Sequence, residues 1–322
     1  MTVLKTARVR VPASTANLGP GFDTLGMALS LYAWIELKEA EQTTFHLYGD
    51  EMNGVPQDKT NLIYKVAQMV FREAGVAVPE LDISMYSDIP LTRGLGSSAS
   101  AIIGALVAAN TLIGSPLSDS KLFDMASAIE KHPDNVGASL FGGIITAVWN
   151  GKHAKHLRIE PDANLEVMVV IPEFQLSTSK AREVLPEHVS LKDAVYNVSH
   201  ASMLVAALAS GRTELIAEAM SDRLHQPYRA ALVPGMTEIL QDAHHHGALG
   251  VALSGAGPTL LALTDRRENR KAELVQYLTD TMSKQGINAS VLKLRPESEG
   301  VKVYTEGNTL SFMDMIKGER MK

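Results

Sequence analysis

The chain has 322 residues, about two domains' worth at roughly 150 residues each, and each would be large enough to bury its own core. With 30 Lys and Arg against 36 Asp and Glu, its net charge of −6 is the wrong sign for a broad nucleic-acid surface, though not for a local pocket around one small polyanion. Cysteine is absent, which excludes disulfides, a thiolate nucleophile and thiolate-held metal, and suits a reducing compartment.

In chain order, residues 1–14 mix Lys5, Arg8 and Arg10 with single apolar residues and do not read as a secretory signal. Ala7, Val9 and Val11 alternate with Arg8 and Arg10, which predicts a strand. Residues 14–26, rich in Gly, Pro, Asn and Asp, predict a loop. Leu31, Ala33, Ile35 and Leu37 alternate as a second strand, and 43–48 as a third. Asn61 is placed to cap a helix to about 74, whose Leu62, Val66, Met69 and Val70 share one face. Leu81, Ile83 and Met85 alternate as another strand, 97–113 and 118–131 read as helices, and 141–149 as a strand. The most apolar run, 101–114, falls short of the ~20 residues that span a bilayer, so no membrane partner is expected and the chain reads as cytoplasmic.

After Asn150-Gly151 the pattern restarts. It predicts a strand over 165–171, helices over 179–185, 190–210, 212–225 and 234–246, paired strands over 248–254 and 259–263, a helix over 267–285 and a strand over 289–295. Residues 301–304 read as a last edge strand and 313–322 as a short, partly disordered helix. Strands come in pairs as often as they alternate with helices, which favours an α+β fold over a doubly wound parallel sheet. The expected division is an N-terminal unit, 1–158, and a C-terminal unit, 159–322.

The sharpest feature is Pro90-Leu91-Thr92-Arg93-Gly94-Leu95-Gly96-Ser97-Ser98-Ala99, between a strand and a helix. The glycines allow positive φ and close approach of a ligand, and Ser97 and Ser98 are good helix caps. A helix start carries unpaired N–H groups and partial positive charge, so this is a phosphate-type anion site with Arg93 at its rim. It lacks the Lys of a Walker A loop, and an ordinary Gly-rich turn before a capped helix is the plainer reading of the same residues. Ser254 to Pro258, SGAGP, is not a dinucleotide fingerprint, because Leu260 holds the third glycine position; it reads as a tight apolar hairpin beneath another loop. His244, His245 and His246 are consecutive and point in different directions, so with Gly247 they mark a helix end and not a metal site.

PASTANLGPGFDTLG (12–26), PLTRGLGSSASA (90–101) and LSGAGPTLLAL (253–263), in that order, resemble the GHMP kinase superfamily. HPDNVGASLFGG (132–143), the opening loop with Asn17, Gly19, Gly21 and Asp23, and QPYRAALVPG (226–235) narrow the resemblance to its homoserine kinases, over about residues 5–300. The resemblance implies an N-terminal domain of the ribosomal-protein-S5 second-domain type, with an uncommon left-handed βαβ unit, and a ferredoxin-like C-terminal domain. It implies that ATP, with Mg²⁺, phosphorylates the hydroxyl of L-homoserine to O-phospho-L-homoserine on the way to threonine. The alternatives are a mevalonate-type GHMP kinase, which would not need Asp23, and a degenerate GHMP fold acting as a ligand sensor.

The resemblance also assigns roles. Residues 90–99 hold the ATP phosphates. Ser98 helps ligate Mg²⁺, completed by Glu130 or, one to two turns earlier, by Asp124. Asp23, with Asn17 beside it, holds the ammonium; Arg182 and Arg229 hold the carboxylate; His132 and Asn135 lie near substrate and phosphates, and Thr178 near the reacting hydroxyl. His200 is left between core and pocket. Asn135 stands where several superfamily members have a carboxylate base, and an amide is no base at neutral pH. Direct transfer is therefore expected, with Asn135, Thr178 and Arg182 as the catalytic set, and Asp134 or Asp23 as the open alternatives for a base. A homodimer is the assembly considered, though oligomeric state is not legible in the sequence.

Overall fold

A computed structural model describes residues 6–77, 80–304 and 310–320 and builds them into two sheets. The first is made of β1 (Thr6–Asn17), β2 (Gly21–Ala40), β3 (Thr44–Tyr48), β4 (Glu80–Ser87), β5 (Ile144–Trp149) and β6 (Ala154–Ile159), together with a late strand described below. Its helices are α1 (Leu62–Glu73), α2 (Ser97–Leu112), α3 (Asp119–Glu130) and α4 (Asp134–Phe141). The residues explain the helix starts: Asn61 accepts from the Ile63 N–H and Ser118 from the Lys121 N–H, capping α1 and α3. Val11, Ile35, Ile83, Phe71, Ile102 and Leu106 meet in the core between helices and sheet. β3 and β4 are parallel neighbours joined through α1, and the other pairings of this sheet are antiparallel.

Residues 14–26 are not the loop that their composition predicts. β1 runs on to Asn17 and β2 starts at Gly21, so the turn is only three residues, with positive φ at Asn17, Leu18 and Gly19. Two register shifts bend the ribbon, so the far half of β2 pairs with β4 and its near end with β5. The predicted strand over 141–149 begins three residues later, because 134–141 form α4, which ends at Gly142 with φ 71°.

The second sheet has β7 (Leu165–Pro172), β8 (Gly250–Leu253), β9 (Leu260–Asp265) and β10 (Ala289–Leu294), in the antiparallel order β10-β7-β9-β8. Between β7 and β8 lie α5 (Thr178–Glu183), α6 (Leu191–Ser210), α7 (Ile216–Ala219), α8 (Gln226–Arg229) and α9 (Met236–Asp242), and α10 (Lys271–Lys284) joins β9 to β10. This is the ferredoxin-like βαββαβ arrangement. The predicted helix over 212–225 is broken, because Asp222 accepts from the N–H groups of Leu224, His225 and Gln226 and starts α8 instead.

After β10 the chain returns to the first sheet. β11 (Lys302–Tyr304) pairs antiparallel with β1, and α11 (Phe312–Arg320) packs Phe312, Met315 and Ile316 on Trp34. The predicted helix over 313–322 thus lies mostly within α11; residues 321–322 fall outside the described ones. One apolar cluster spans both sheets, joining Ala13, Met27 and Leu29 to Val167, Leu204 and Leu261. No helix among the described residues is long and apolar enough to cross a membrane.

Candidate active site

β4 leads into the loop 90–96 and α2 leads out of it. Thr92, Gly94 and Gly96, every second residue, have φ of 54°, 80° and 71°, a backbone that can curl N–H groups around an anion. The cap of α2 is not a serine, as expected, but Gly96, and among the described residues no side chain caps the first turn. The amides of Ser97, Ser98 and Ala99 are left for an outside acceptor. The glycines line the cleft and also make room for protein. A Cβ on Gly94 would stand 2.3 Å from the Ser254 carbonyl oxygen, and one on Gly96 would stand 2.1 Å from Ser14 Oγ. Loop, β1 and the 254–258 turn are thereby interlocked, and Ser254 Oγ, 2.6 Å from the Gly94 carbonyl and 2.8 Å from Thr15 Oγ1, ties all three.

Thr92, Gly94, Gly96, Ser97, Ser98 and Ala99 line a cleft of about 730 Å³. The other four expected phosphate-loop residues do not line it. Leu95 is core, Leu91 gives its N–H to Glu51 (3.2 Å), and Arg93 is not among the residues lining the cleft: its carbonyl accepts from Thr259, and its Nη1 is buried with no partner among the described residues. Pro90 leads the chain in from Ile89, which is buried.

Asn17, Asp23, Glu130, His132, Asn135, Thr178, Arg182 and Arg229 all line the same cleft, drawn from four stretches of chain: 17–23, 130–135, 178–182 and 229. Three carboxylates (Asp23, Glu130, Asp134) face three cations (His132, Arg182, Arg229). Asp23 and Arg182, expected to grip opposite ends of a zwitterion, grip each other through two bonds of 2.7 and 3.1 Å. Asn17 holds the turn, accepting from the Asp23 N–H and donating to the Gly255 carbonyl, each at 3.0 Å. Thr178 opens α5 with its side chain exposed to the cleft. Asn135 Oδ1 accepts from Ser14 Oγ at 3.0 Å. His200 stacks on Tyr196, at 3.8 Å between rings, away from the cleft.

Burial disfavours the His132 imidazolium. The carboxylate of Asp134, 2.6 Å from Nδ1, with help from Asp23 and Glu130, outweighs this and raises the imidazole to about 9, so it is charged at neutral pH. A His raised above its unfolded value of about 6.5 stabilises the fold fully below that pH, and the contribution fades as pH rises through the folded value. His132→Gln is therefore expected to be less stable than the parent near pH 6 and to approach it near pH 9.5, read by urea unfolding. An equal gap at both pH values would show a neutral His132.

Ser98 Oγ donates to Glu130 Oε1 at 2.5 Å, so the two side chains expected to ligate Mg²⁺ already meet at the α2 start. Two hard oxygens beside open amides fit that ion. Asp124 faces β6 instead, held by the Ala154 N–H (2.7 Å) and His153 (2.9 Å). Asp23, His132 and Asp134 also offer ligand atoms within 4.8 Å of one another, with Asp23 taken up by Arg182 and Asp134 by His132.

Two parts of the site escaped the sequence reading. Phe22 stands 5.4 and 5.3 Å from the guanidinium groups of Arg182 and Arg229; an aromatic beside Asp23 in a Gly-rich turn was the available signal. A second, mostly apolar cavity of about 840 Å³ adjoins the loop, with walls from Met52, Val55, Ile63, Met85 and Leu91, and it shares Thr92, Ser97 and Ser98 with the first. Its walls are scattered along the chain, so no local pattern announces it.

Family models described as the GHMP kinases N terminal domain and the GHMP kinases C terminal match residues 61–143 and 204–284. A homoserine kinase of Deinococcus radiodurans is 44% identical over 295 residues, 92% of this chain and 96% of that protein. One of Desulfitobacterium hafniense is 43% identical over 296 residues, 92% and 99% of the two chains. The crystal structure of homoserine kinase from Cytophaga hutchinsonii aligns with a TM-score of 0.83 at 25% identity, covering 94% of this chain and 99% of that one. The chain belongs to the GHMP kinases and, within them, to the homoserine kinase family.

Proposed function

We propose that this kinase transfers the γ-phosphoryl group of ATP to the side-chain hydroxyl of L-homoserine, giving O-phospho-L-homoserine for threonine synthesis. The observation that carries the reading is the meeting of two unlike cavities at the open start of α2: an apolar one suited to a nucleoside and a charge-balanced one suited to a small zwitterion. The phosphates would bridge them along Thr92, Ser97 and Ser98. ATP as donor and a cysteine-free chain fit a cytoplasmic setting.

In the acceptor half, the ammonium of homoserine takes Asp23 and its carboxylate takes the arginines, exchanging one ion pair for two. Arg suits this because its fork meets a carboxylate with two parallel bonds. Asn135, Thr178 and Arg182 orient the hydroxyl and the transferring group. Ser98 and Glu130 would hold Mg²⁺, which, when bound, supplies charge neutralisation at the phosphates. Among the described residues no cleft carboxylate stands free as a base: Asp23 passes from Arg182 to the substrate ammonium, Asp134 is held by His132 and its own neighbour's N–H, and Glu130 by Ser98. Transfer is therefore direct, with the proton leaving late, and catalysis rests on positioning and charge. ADP release measured with L-homoserine, mevalonate, shikimate and L-threonine tests this. Homoserine-dependent release is expected; release driven only by another alcohol would overturn the substrate.

A further inference from the structure

Arg182 and Arg229 differ in a way that the substrate roles do not explain. Arg182 is bonded to a carboxylate, whereas Arg229, only 2% exposed, is bonded to neutral acceptors: Nε donates to the Ala181 carbonyl (2.9 Å), and Nη1 to the Gly255 carbonyl (3.0 Å) and to Nδ1 of His225 (3.2 Å). Among the described residues Nη2 makes no hydrogen bond, and Phe22 covers the guanidinium face. A buried cation whose bonded partners are all neutral draws in an anion.

His225 is fully buried, and its tautomer follows from its neighbours. Nε2 lies 2.8 Å from the Gly19 carbonyl, which can only accept, so Nε2 carries the hydrogen and Nδ1 accepts from Arg229. Burial holds the imidazole below its usual range, with Arg229 adding to this against the pull of Asp222. Asp222 does not bond the ring: its oxygens take the N–H groups of Leu224, His225 and Gln226, and Nε2 is 3.7 Å away. Phe22 stacks on the His225 ring at 5.2 Å.

We infer that His225 is a positioning residue that makes the site selective for the substrate's α-carboxylate: it ties the Leu18–Pro20 turn to Arg229, fixes the fork with Nη2 toward the cleft, and does so without the negative charge that would neutralise it. A Glu at this position would satisfy Arg229, and a Leu would leave one Nη1 hydrogen unmatched. This rests on the proposed acceptor, and the test separates the two. Turnover of L-homoserine and of its uncharged α-carboxamide is measured in parent, His225→Leu and His225→Gln, with thermal unfolding as a check on folding. The parent favours the carboxylate. His225→Leu is expected to raise the homoserine KM about tenfold, the factor that roughly 1.4 kcal/mol carries. Its KM for ATP and its turnover of the amide stay unchanged, so selectivity falls. His225→Gln, which can both donate to Gly19 and accept from Arg229, restores selectivity. Unchanged selectivity in His225→Leu, or no recovery in His225→Gln, overturns the role of His225. If His225→Leu does not fold, the comparison passes to His225→Gln against His225→Glu, where equal selectivity overturns it. Failure of the parent on homoserine overturns the substrate instead.

Discussion

Glu130→Gln is expected to lower kcat by about 10²–10³, the usual cost of removing one group aimed at transition-state charge. Gln keeps the volume of Glu and can still accept from Ser98 Oγ, so the fold should be nearly as stable and the loss confined to chemistry. Raising Mg²⁺ should recover part of it, because what is lost is a ligand charge. Asp124→Asn is the matched control: its carboxylate caps the Ala154 N–H across α3 and β6, so kcat should stay within about twofold. Steady-state rates of both variants against Mg²⁺ decide, and the reverse pattern would move the metal carboxylate to Asp124.

Gly94→Ala is expected to remove Mg²⁺-dependent ATP binding and to cost roughly 2–4 kcal/mol of stability. Two effects combine. The position has φ 80°, which costs a side chain about 1–2 kcal/mol. The new Cβ would also stand 2.3 Å from the Ser254 oxygen and 3.0 Å from the Gly257 oxygen, backbone atoms that cannot swing aside. Gly286→Ala separates the two, since φ is 71° there but nothing lies within 4 Å of its Cβ. That variant should bear only the conformational cost and bind ATP normally. Denaturant unfolding and calorimetric ATP titration of the pair check this. If Gly94→Ala behaves like Gly286→Ala, the loop and the 254–258 turn do not depend on each other.

What the sequence reveals and what it hides divide by range. The caps at Asn61 and Ser118, the helix from Ser97 and the hairpin around SGAGP follow from neighbours within a few residues, and they stand where the pattern places them. α4 was hidden because its HPDN start and Gly142-Gly143 end resemble loop chemistry. The break at Asp222 depends on one carboxylate preferring backbone amides over a continued helix. In the site, the side chains that the resemblance names outside the loop line one cleft, but their pairing was not legible. The Asp23–Arg182 bridge spans 159 residues and the Arg229 bond to Gly255 spans 26, and Gly94 and Gly96 meet protein atoms of Ser254 and Ser14, all beyond the reach of a local pattern.

The chain passes from the first sheet to the second between Ile159 and Leu165 and comes back before Lys302. A fragment stopped at 158 would leave the outer edge of β1 bare and Trp34 uncovered, both invitations to aggregate. The complementary fragment would carry β11 and α11 with nothing to dock on. With Met27 and Leu261 in one cluster as well, the two sheets are fastened to each other both by a shared apolar core and by the returning chain, so neither is a separable module.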